Sequence, residues 1–406
     1  MEEIRPVPDK DRVLTGFDLF LLWLGAAISL AEVWAGGMLA PLGFGLGMLA
    51  ILLGHIIGNT PFALGGVIGT KYGVPTMVTL RPSFGIRGSY LGSVLNVIQL
   101  IGWTAVMLVV AGDAAYAVYS GIDKKTWIVL IGIITTLWAI GGSKYWKWAG
   151  RIGVLALAGV CIIATYSILR EGIPQKAPSG MDFGLALDLV IAMPVSWLPL
   201  VSDYSRYSRS IGGAFWGTWL GYMVGSSWMY ALGLMAFLST GSTDVISVMV
   251  KLGFTGLALI LILLSTVTTT FLDLYSAAIS SLNINPKLNR TLTLIVAGVI
   301  GIAIALVFPP EAYENFLLFI GGMFCPIFGI VLFDYFVFRK GKIEVDELYK
   351  ERGGKYWYNG GINWWALASW AVGFTLYELI AIKAPWIGAS IPSMVIAGLV
   401  YSFKRG

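Results

Sequence analysis

Stretches of about twenty apolar residues recur from one end of this chain to the other, and that length is what a helix needs to cross a bilayer. Twelve such segments can be marked, at 17–42, 47–68, 89–119, 127–141, 148–169, 183–201, 212–238, 254–281, 292–308, 313–338, 364–382 and 386–403. Inside a bilayer, a chain can satisfy its backbone polar groups only as helices or as a closed barrel. Segments this long and continuously apolar select helices. The charged fraction is 12% against 57% hydrophobic, where soluble domains carry about 25% charge. An all-α, multi-pass integral membrane protein is therefore expected. The longest hydrophilic stretch, 339–358, is a loop rather than a domain, and the polar, mixed-charge N-terminus shows no cleavable signal.

The net charge of +5 does not point to nucleic acid, because the basic residues sit in short clusters between apolar runs. With a cytoplasmic N-terminus and twelve spans, 21 of the 27 Lys and Arg residues fall on the inner side. Only Lys124, Lys125, Arg170, Lys176, Lys251 and Lys383 fall outside. That bias fits the positive-inside rule with both termini cytoplasmic. Cys161 and Cys325 lie in apolar segments without a metal-ligand spacing and read as packing residues. One histidine and scattered carboxylates supply no ligand set for zinc, haem or an iron–sulfur cluster.

Two spans carry helix-breaking sequence. The first contains Ala35-Gly36-Gly37 and Pro41-Leu42-Gly43 near Glu32; the sixth contains Met193-Pro194-Val195-Ser196-Trp197-Leu198-Pro199. Interruptions at matching places in two halves point to an inverted-repeat transporter with its site at mid-membrane. Glu32 fits this reading, since an intramembrane carboxyl faces a cavity or a partner; it reads as a substrate or proton site, or as a helix partner. Gln99 and Trp103, four apart, share one helix face and offer either a stacking platform for a flat heterocycle or ordinary packing. The run Ser265-Thr266-Val267-Thr268-Thr269-Thr270 supplies oxygens for a hard cation, or hydroxyls that bond back to their own helix. Asp273, on the Thr269 face, is a second ionisable group or a helix contact. His55 and Asn59 read as a link between helices. Asp203 and Asp334 read as partners in local ion pairs with Arg206 and Arg339.

Taken together, Leu24-Gly25 through Gly36-Gly37, Ser83-Phe84-Gly85, Gly102-Trp103, Asp203-Tyr204-Ser205-Arg206-Tyr207 and the threonine run resemble the nucleobase–cation symporter family of purine–cytosine permeases and hydantoin transporters. The finer pattern, Ala31 to Gly43 with Met193 to Pro199, is similar to its hydroxymethylpyrimidine-transporter branch. The resemblance implies the leucine-transporter fold: inverted five-helix repeats over 1–170 and 183–338, with two further helices over 362–403. It implies a sodium site at Gly25, Ile28, Ser265, Thr268 and Thr269. It also implies a substrate cavity taking Ser29, Glu32 and Trp103, to which Gln99, Ser196, Trp197, Thr270 and Asp273 are added as candidates. Two positions depart from the family's cytosine permeases. Leu100 stands where they carry a glutamine, with Gln99 one residue earlier, and Pro194 stands where relatives carry a stacking aromatic, with Trp197 nearly a turn away.

The expected function is cation-coupled symport of a neutral aminopyrimidine across the cell membrane by a monomer. Hydroxymethylpyrimidine with sodium is favoured; cytosine or another nucleobase, or proton coupling, is the alternative. No enzymatic activity and no cofactor are expected beyond the coupling ion. A membrane-embedded enzyme would need a nucleophile–base pair or metal cluster, and a channel would need repeated polar rings.

Overall fold

The computed structural model describes residues 2–141, 146–172, 180–242, 246–247, 250, 255–309 and 312–403. Lys144, Lys176, Lys251, Lys404 and Arg405, counted in the charge asymmetry, lie outside the described residues, as does the expected start of the eighth span at 254. The described chain is helical, with no strand. In order the helices are α1 (Gly16–Ala27), α2 (Leu30–Met38), α3 (Gly43–Tyr72), α4 (Thr76–Thr79), α5 (Arg81–Phe84), α6 (Ser89–Val118), α7 (Lys124–Gly141) and α8 (Trp146–Glu171). Then follow α9 (Phe183–Trp197), α10 (Val201–Ser205), α11 (Ile211–Thr240), α12 (Thr255–Ile284), α13 (Arg290–Ala305), α14 (Tyr313–Leu332), α15 (Trp364–Lys383) and α16 (Ser390–Ser402). Among the described residues, eight helical stretches are long and apolar enough to cross a membrane, and four more apolar helices are shorter.

The break in the first span falls earlier than the glycines suggest. Helix α1 stops at Ile28 (φ −76°, ψ 84°), and Ser29 is extended (φ −137°, ψ 150°) before α2 begins. The Ser29 hydroxyl accepts the Glu32 amide at 3.2 Å and so caps α2. Gly36 and Gly37 instead lie inside α2, and Pro41 belongs to a 3-10 turn, Ala40–Leu42, after it. The reason is packing. A Cβ on Gly36 would stand 2.1 Å from the Tyr230 carbonyl oxygen, so this glycine lets α11 approach rather than bending the chain.

The sixth span behaves closer to expectation. Helix α9 continues through Pro194 to Trp197, gives way to a 3-10 turn over Leu198–Leu200, and resumes as α10. Leu200 (φ −129°, ψ −1°) leaves helical geometry, and Pro199 sits at the start of the turn where its missing N–H costs least. Helix α11 runs along the whole broken first span. A Cβ on Gly221 would stand 2.4 Å from the Phe20 carbonyl oxygen, the close backbone approach that small residues at four-residue spacing permit between membrane helices.

Two carboxylates cross-link distant segments. Asp188 of α9 accepts the Ala389 and Ser390 amides at 2.5 and 2.9 Å, holding the start of α16. Asp334 pairs with Arg339 at 2.8 Å, as its spacing suggests, and also accepts the Ser83 hydroxyl. Asp203 does not spend its carboxylate on a local pair: one oxygen accepts the Thr76 amide at 3.0 Å. Arg206 donates to the Asp203 backbone carbonyl, the Glu3 carbonyl and the Tyr207 and Tyr275 hydroxyls.

Candidate functional site

Ending α1 at Ile28 frees backbone groups inside the bundle. The Ser29 amide, which would bond the Gly25 carbonyl in an unbroken helix, turns to the Ala27 carbonyl at 2.9 Å. The Glu32 amide, which would bond the Ile28 carbonyl, is taken by Ser29 Oγ. The Gly25 and Ile28 carbonyls thus lose their next-turn donors at one place. Thr269 of α12 reaches this place from the other side, and its hydroxyl donates to the Ala26 carbonyl at 3.2 Å. Thr268 Oγ1 donates to the Leu264 carbonyl at 2.6 Å and Ser265 Oγ to the Ile262 carbonyl at 3.3 Å, both within their own helix. Ser265 and Thr268 thus follow the back-bonding alternative, although a hydroxyl that gives away its hydrogen in this way keeps its oxygen lone pairs.

Beside the break lies a small cavity, with room for about one water molecule. Of the residues expected at a substrate site, Ser29, Glu32, Trp103, Trp197 and Asp273 line it, together with Thr269 from the expected cation site. Ala26, Met107 and Met193 complete the wall. Trp103 is held by edge-to-face contacts with Phe316 at 5.4 Å and Tyr313 at 6.0 Å between ring centroids. Trp197 rests edge-on against Trp23 at 5.7 Å and Tyr222 at 6.4 Å. Rings pinned at their edges in this manner lose little further freedom when a flat ligand arrives.

Three of the lining side chains keep a buried polar atom with no partner from the protein: Glu32 Oε2, Asp273 Oδ2 and Trp103 Nε1. Buried polar atoms are normally paired, and a cavity wall carrying one donor and two carboxyl oxygens without partners is built to meet a polar ligand. The other oxygen of Glu32 accepts the Tyr222 hydroxyl at 2.6 Å.

Gln99, Ser196 and Thr270 do not line the cavity. Gln99 donates to the Ser196 carbonyl at 2.8 Å and to Asn96 Oδ1 at 2.7 Å, so it braces α6 against the broken sixth span. The Ser196 hydroxyl returns to the Met193 carbonyl at 2.6 Å. Thr270 is buried with its hydroxyl unpartnered. The bracing continues along α6 toward its first residues: Asn96 meets Ser280, and Asn283 meets Ser89 and Ser93, all at 2.8–3.0 Å. Tyr222, Met107, Met193 and Tyr313 are absent from the sequence-level candidates. A signal for Tyr222 exists, since Tyr222, Ser226 and Tyr230 form a four-spaced polar stripe in an otherwise apolar helix.

Two interrupted spans that meet at a buried polar cavity define the class, a broken-helix secondary transporter. The sequence pattern of the permeases for cytosine/purines, uracil, thiamine and allantoin matches residues 6–403, and the chain belongs to that family. It is 28% identical to the cytosine permease of Escherichia coli (strain K12) over 360 residues, covering 82% of this chain and 81% of the relative. It is 24% identical over 470 residues to the purine-uracil permease NCS1 of Arabidopsis thaliana, covering 98% of this chain and 76% of the relative. Among solved structures, it is similar to the closed, bromovinylhydantoin-bound form of Mhp1, a nucleobase-cation-symport-1 family transporter. The TM-score is 0.87 at 20% identity, covering 99% of this chain and 94% of the other. A Na+-coupled sialic acid symporter shares the fold at a TM-score of 0.69 and 16% identity, covering 95% of this chain and 89% of the other. The family is one of transporters, not enzymes.

Proposed function

We propose that this chain is a secondary active symporter that carries a 4-aminopyrimidine, hydroxymethylpyrimidine in the first instance, together with sodium. The supporting observation is the cavity wall, in which two tryptophans stand beside Glu32 and Asp273, each with an unpartnered carboxyl oxygen. A 4-aminopyrimidine presents an amine donor next to a ring-nitrogen acceptor. A protonated carboxyl both donates and accepts, and so meets that edge with two hydrogen bonds. A 4-oxo compound reverses donor and acceptor and mispairs, because Tyr222 donates to Oε1 and so holds the carboxyl hydrogen on Oε2. Trp103 and Trp197 supply stacking surface, and Asp273 is a second acceptor.

The sodium ligands in this reading are the Gly25 and Ile28 carbonyls and the Ser265, Thr268 and Thr269 hydroxyls. The freed carbonyl of Gly25 and the outward lone pairs of the hydroxyls support it. The transporter works with both termini cytoplasmic and with repeats over 1–170 and 183–338, as a monomer in the plasma membrane. Cytosine as the substrate is the second reading, favoured by the similarity to the Escherichia coli cytosine permease.

The test is uptake into proteoliposomes of labelled hydroxymethylpyrimidine, cytosine and uracil, with and without an inward sodium gradient. Concentrative, sodium-dependent uptake of the aminopyrimidines and rejection of uracil is the expected result. Equal uptake of all three, or uptake indifferent to sodium, overturns the substrate reading or the ion reading respectively.

A further inference from the structure

Trp197, one of the two indoles in the cavity wall, stands where the sixth span stops being a regular helix. It is the last residue of α9 and borders the turn over Leu198–Leu200. A residue at such a joint has a regular helix on one side only, so its direction must be fixed from outside. Helix α3 backs the joint closely: a Cβ on Gly58 would stand 2.4 Å from Pro194 Cγ, and one on Gly65 would stand 2.5 Å from Leu198 Cδ1. From α6 the joint is held by two buried side-chain amides. Gln99 Nε2 donates to the Ser196 carbonyl at 2.8 Å and to Asn96 Oδ1 at 2.7 Å. Asn96 Nδ2 donates to the Pro199 carbonyl at 3.3 Å and to Ser280 Oγ of α12 at 2.8 Å.

The hydrogens of this pair can be assigned in one way only. A carbonyl accepts and cannot donate, so the Ser196 and Pro199 carbonyls fix which end of each amide is nitrogen. Each amide nitrogen carries two hydrogens, and all of them are committed: to the backbone before and after Trp197, to Asn96 Oδ1 and to Ser280. Gln99 therefore keeps no donor for a ligand. We propose that Gln99, together with Asn96, is a positioning residue of the pyrimidine site: by gripping the carbonyls on both sides of Trp197, it sets where that indole stands relative to Trp103.

Helix geometry makes the link between the two indoles short. Gln99 lies one turn, about 6 Å along the axis, before Trp103, and Ser196 is the chain neighbour of Trp197. Asn96, Gln99, Trp103 and Met107 follow one another at spacings of three and four, which puts them on one face of α6. The amides of that face hold the sixth span, while Trp103 and Met107 line the cavity, and Met193 and Trp197 answer them from α9. The cavity itself has only water-sized room. With the backbone of the joint held, the further room a pyrimidine needs comes from indole and methionine side chains turning about fixed Cα positions. Gln99 thus acts on the ligand through Trp197 and not by touching it.

This inference rests on the reading of the cavity as a pyrimidine site, and a double-mutant cycle between Gln99 and Trp197 tests it. Gln99→Met removes both donors at nearly unchanged length. Gln99→Glu keeps the shape more closely and gives at most one hydrogen, so it takes the place of the methionine variant should that fail to fold. Trp197→Leu removes the aromatic face and leaves an apolar side chain. Calorimetric titration in detergent at fixed sodium measures the cytosine Kd of the wild type, both single variants and the double variant. Melting of the ligand-free proteins measures separately the cost of the orphaned acceptors. Gln99→Met is expected to raise Kd about tenfold where Trp197 is present, and by less than about twofold in the Trp197→Leu background. A loss of equal size in both backgrounds, or none in either, leaves Gln99 a plain brace between helices and overturns the inference while pyrimidine binding stands. A wild-type Kd in Trp197→Leu overturns it too, because the indole then has no part in binding. A wild-type protein that binds neither cytosine nor hydroxymethylpyrimidine overturns the site reading as well.

Discussion

Replacing Trp103 by alanine separates a substrate platform from a packing residue, because the two roles act on different observables. The indole is 7% exposed, lines the cavity, and is braced at its edges by Phe316 and Tyr313. Each such aromatic contact contributes about 0.5–1.5 kcal/mol beyond area burial. Truncation therefore lowers stability whatever the ligand does. If the ring also stacks on a pyrimidine, the loss of base–aromatic stacking adds about 1–3 kcal/mol to the binding free energy. At about 1.4 kcal/mol per factor of ten, that is roughly 5- to 150-fold in Kd. Trp103→Phe keeps a smaller face and should recover part of the loss. Calorimetric titration in detergent with cytosine and hydroxymethylpyrimidine measures Kd, and thermal denaturation of the ligand-free variants measures the structural cost. A Trp103→Ala protein with lowered thermal stability and wild-type Kd would refute the stacking argument and leave Trp103 as a brace between α6 and α14.

Three further outcomes are expected. Thr269→Ala removes the hydroxyl that joins α12 to the Ala26 carbonyl, so pyrimidine affinity measured at fixed sodium should fall and recover as sodium is raised; affinity independent of sodium in the wild type refutes it. Glu32→Gln should narrow the preference for cytosine over uracil and impair concentrative uptake more than binding, as paired titration and uptake measurements will show. Gly221→Ala places a methyl group against the Phe20 carbonyl and should cost about 1–3 kcal/mol by overpacking; an unaltered melting curve would show that α11 and α1 have room to spare.

The spans were legible because their signal is local: about twenty apolar residues in a row mean a crossing wherever the neighbours lie. The break in the first span was misread because glycine has two uses. Gly36 and Gly37 look like a hinge, yet Gly36 exists for the approach of Tyr230, a contact almost two hundred positions away. A local signal for the true break was present in Ser29-Leu30-Ala31-Glu32, the serine-to-glutamate spacing of a helix start. Its serine does cap α2, while its glutamate leaves the cap and turns to Tyr222. Gln99 and Trp103 share a helix face as their spacing requires, but only Trp103 reaches the cavity. The intervening turn and the Ser196 carbonyl claim Gln99. Met107 and Met193 were invisible for the converse reason: nothing in their own neighbourhoods distinguishes them until α6 and α9 are brought around α2.

The position of the break also constrains how ion and substrate could act on one another. Gly25 and Ile28, the candidate cation carbonyls, and Ser29 and Glu32, the candidate substrate groups, fall within eight consecutive residues that contain the one non-helical step of the span. A cation held by those carbonyls and by Thr269 would fix the end of α1 against α12. Ser29, whose hydroxyl caps α2, would then be fixed as well, and with it the direction in which Glu32 leaves the helix. A pyrimidine bound to Glu32 restrains the same dihedral angles from the other side. Each ligand thus lowers the ordering cost of the other, and coupling free energies of about 1–3 kcal/mol, or 5- to 150-fold in affinity, are typical of such linkage. The effect must be reciprocal: pyrimidine should raise the affinity for sodium by the same factor that sodium raises the affinity for pyrimidine. A pyrimidine affinity that is the same without sodium and at saturating sodium would show that the two sites are not coupled and would refute the argument.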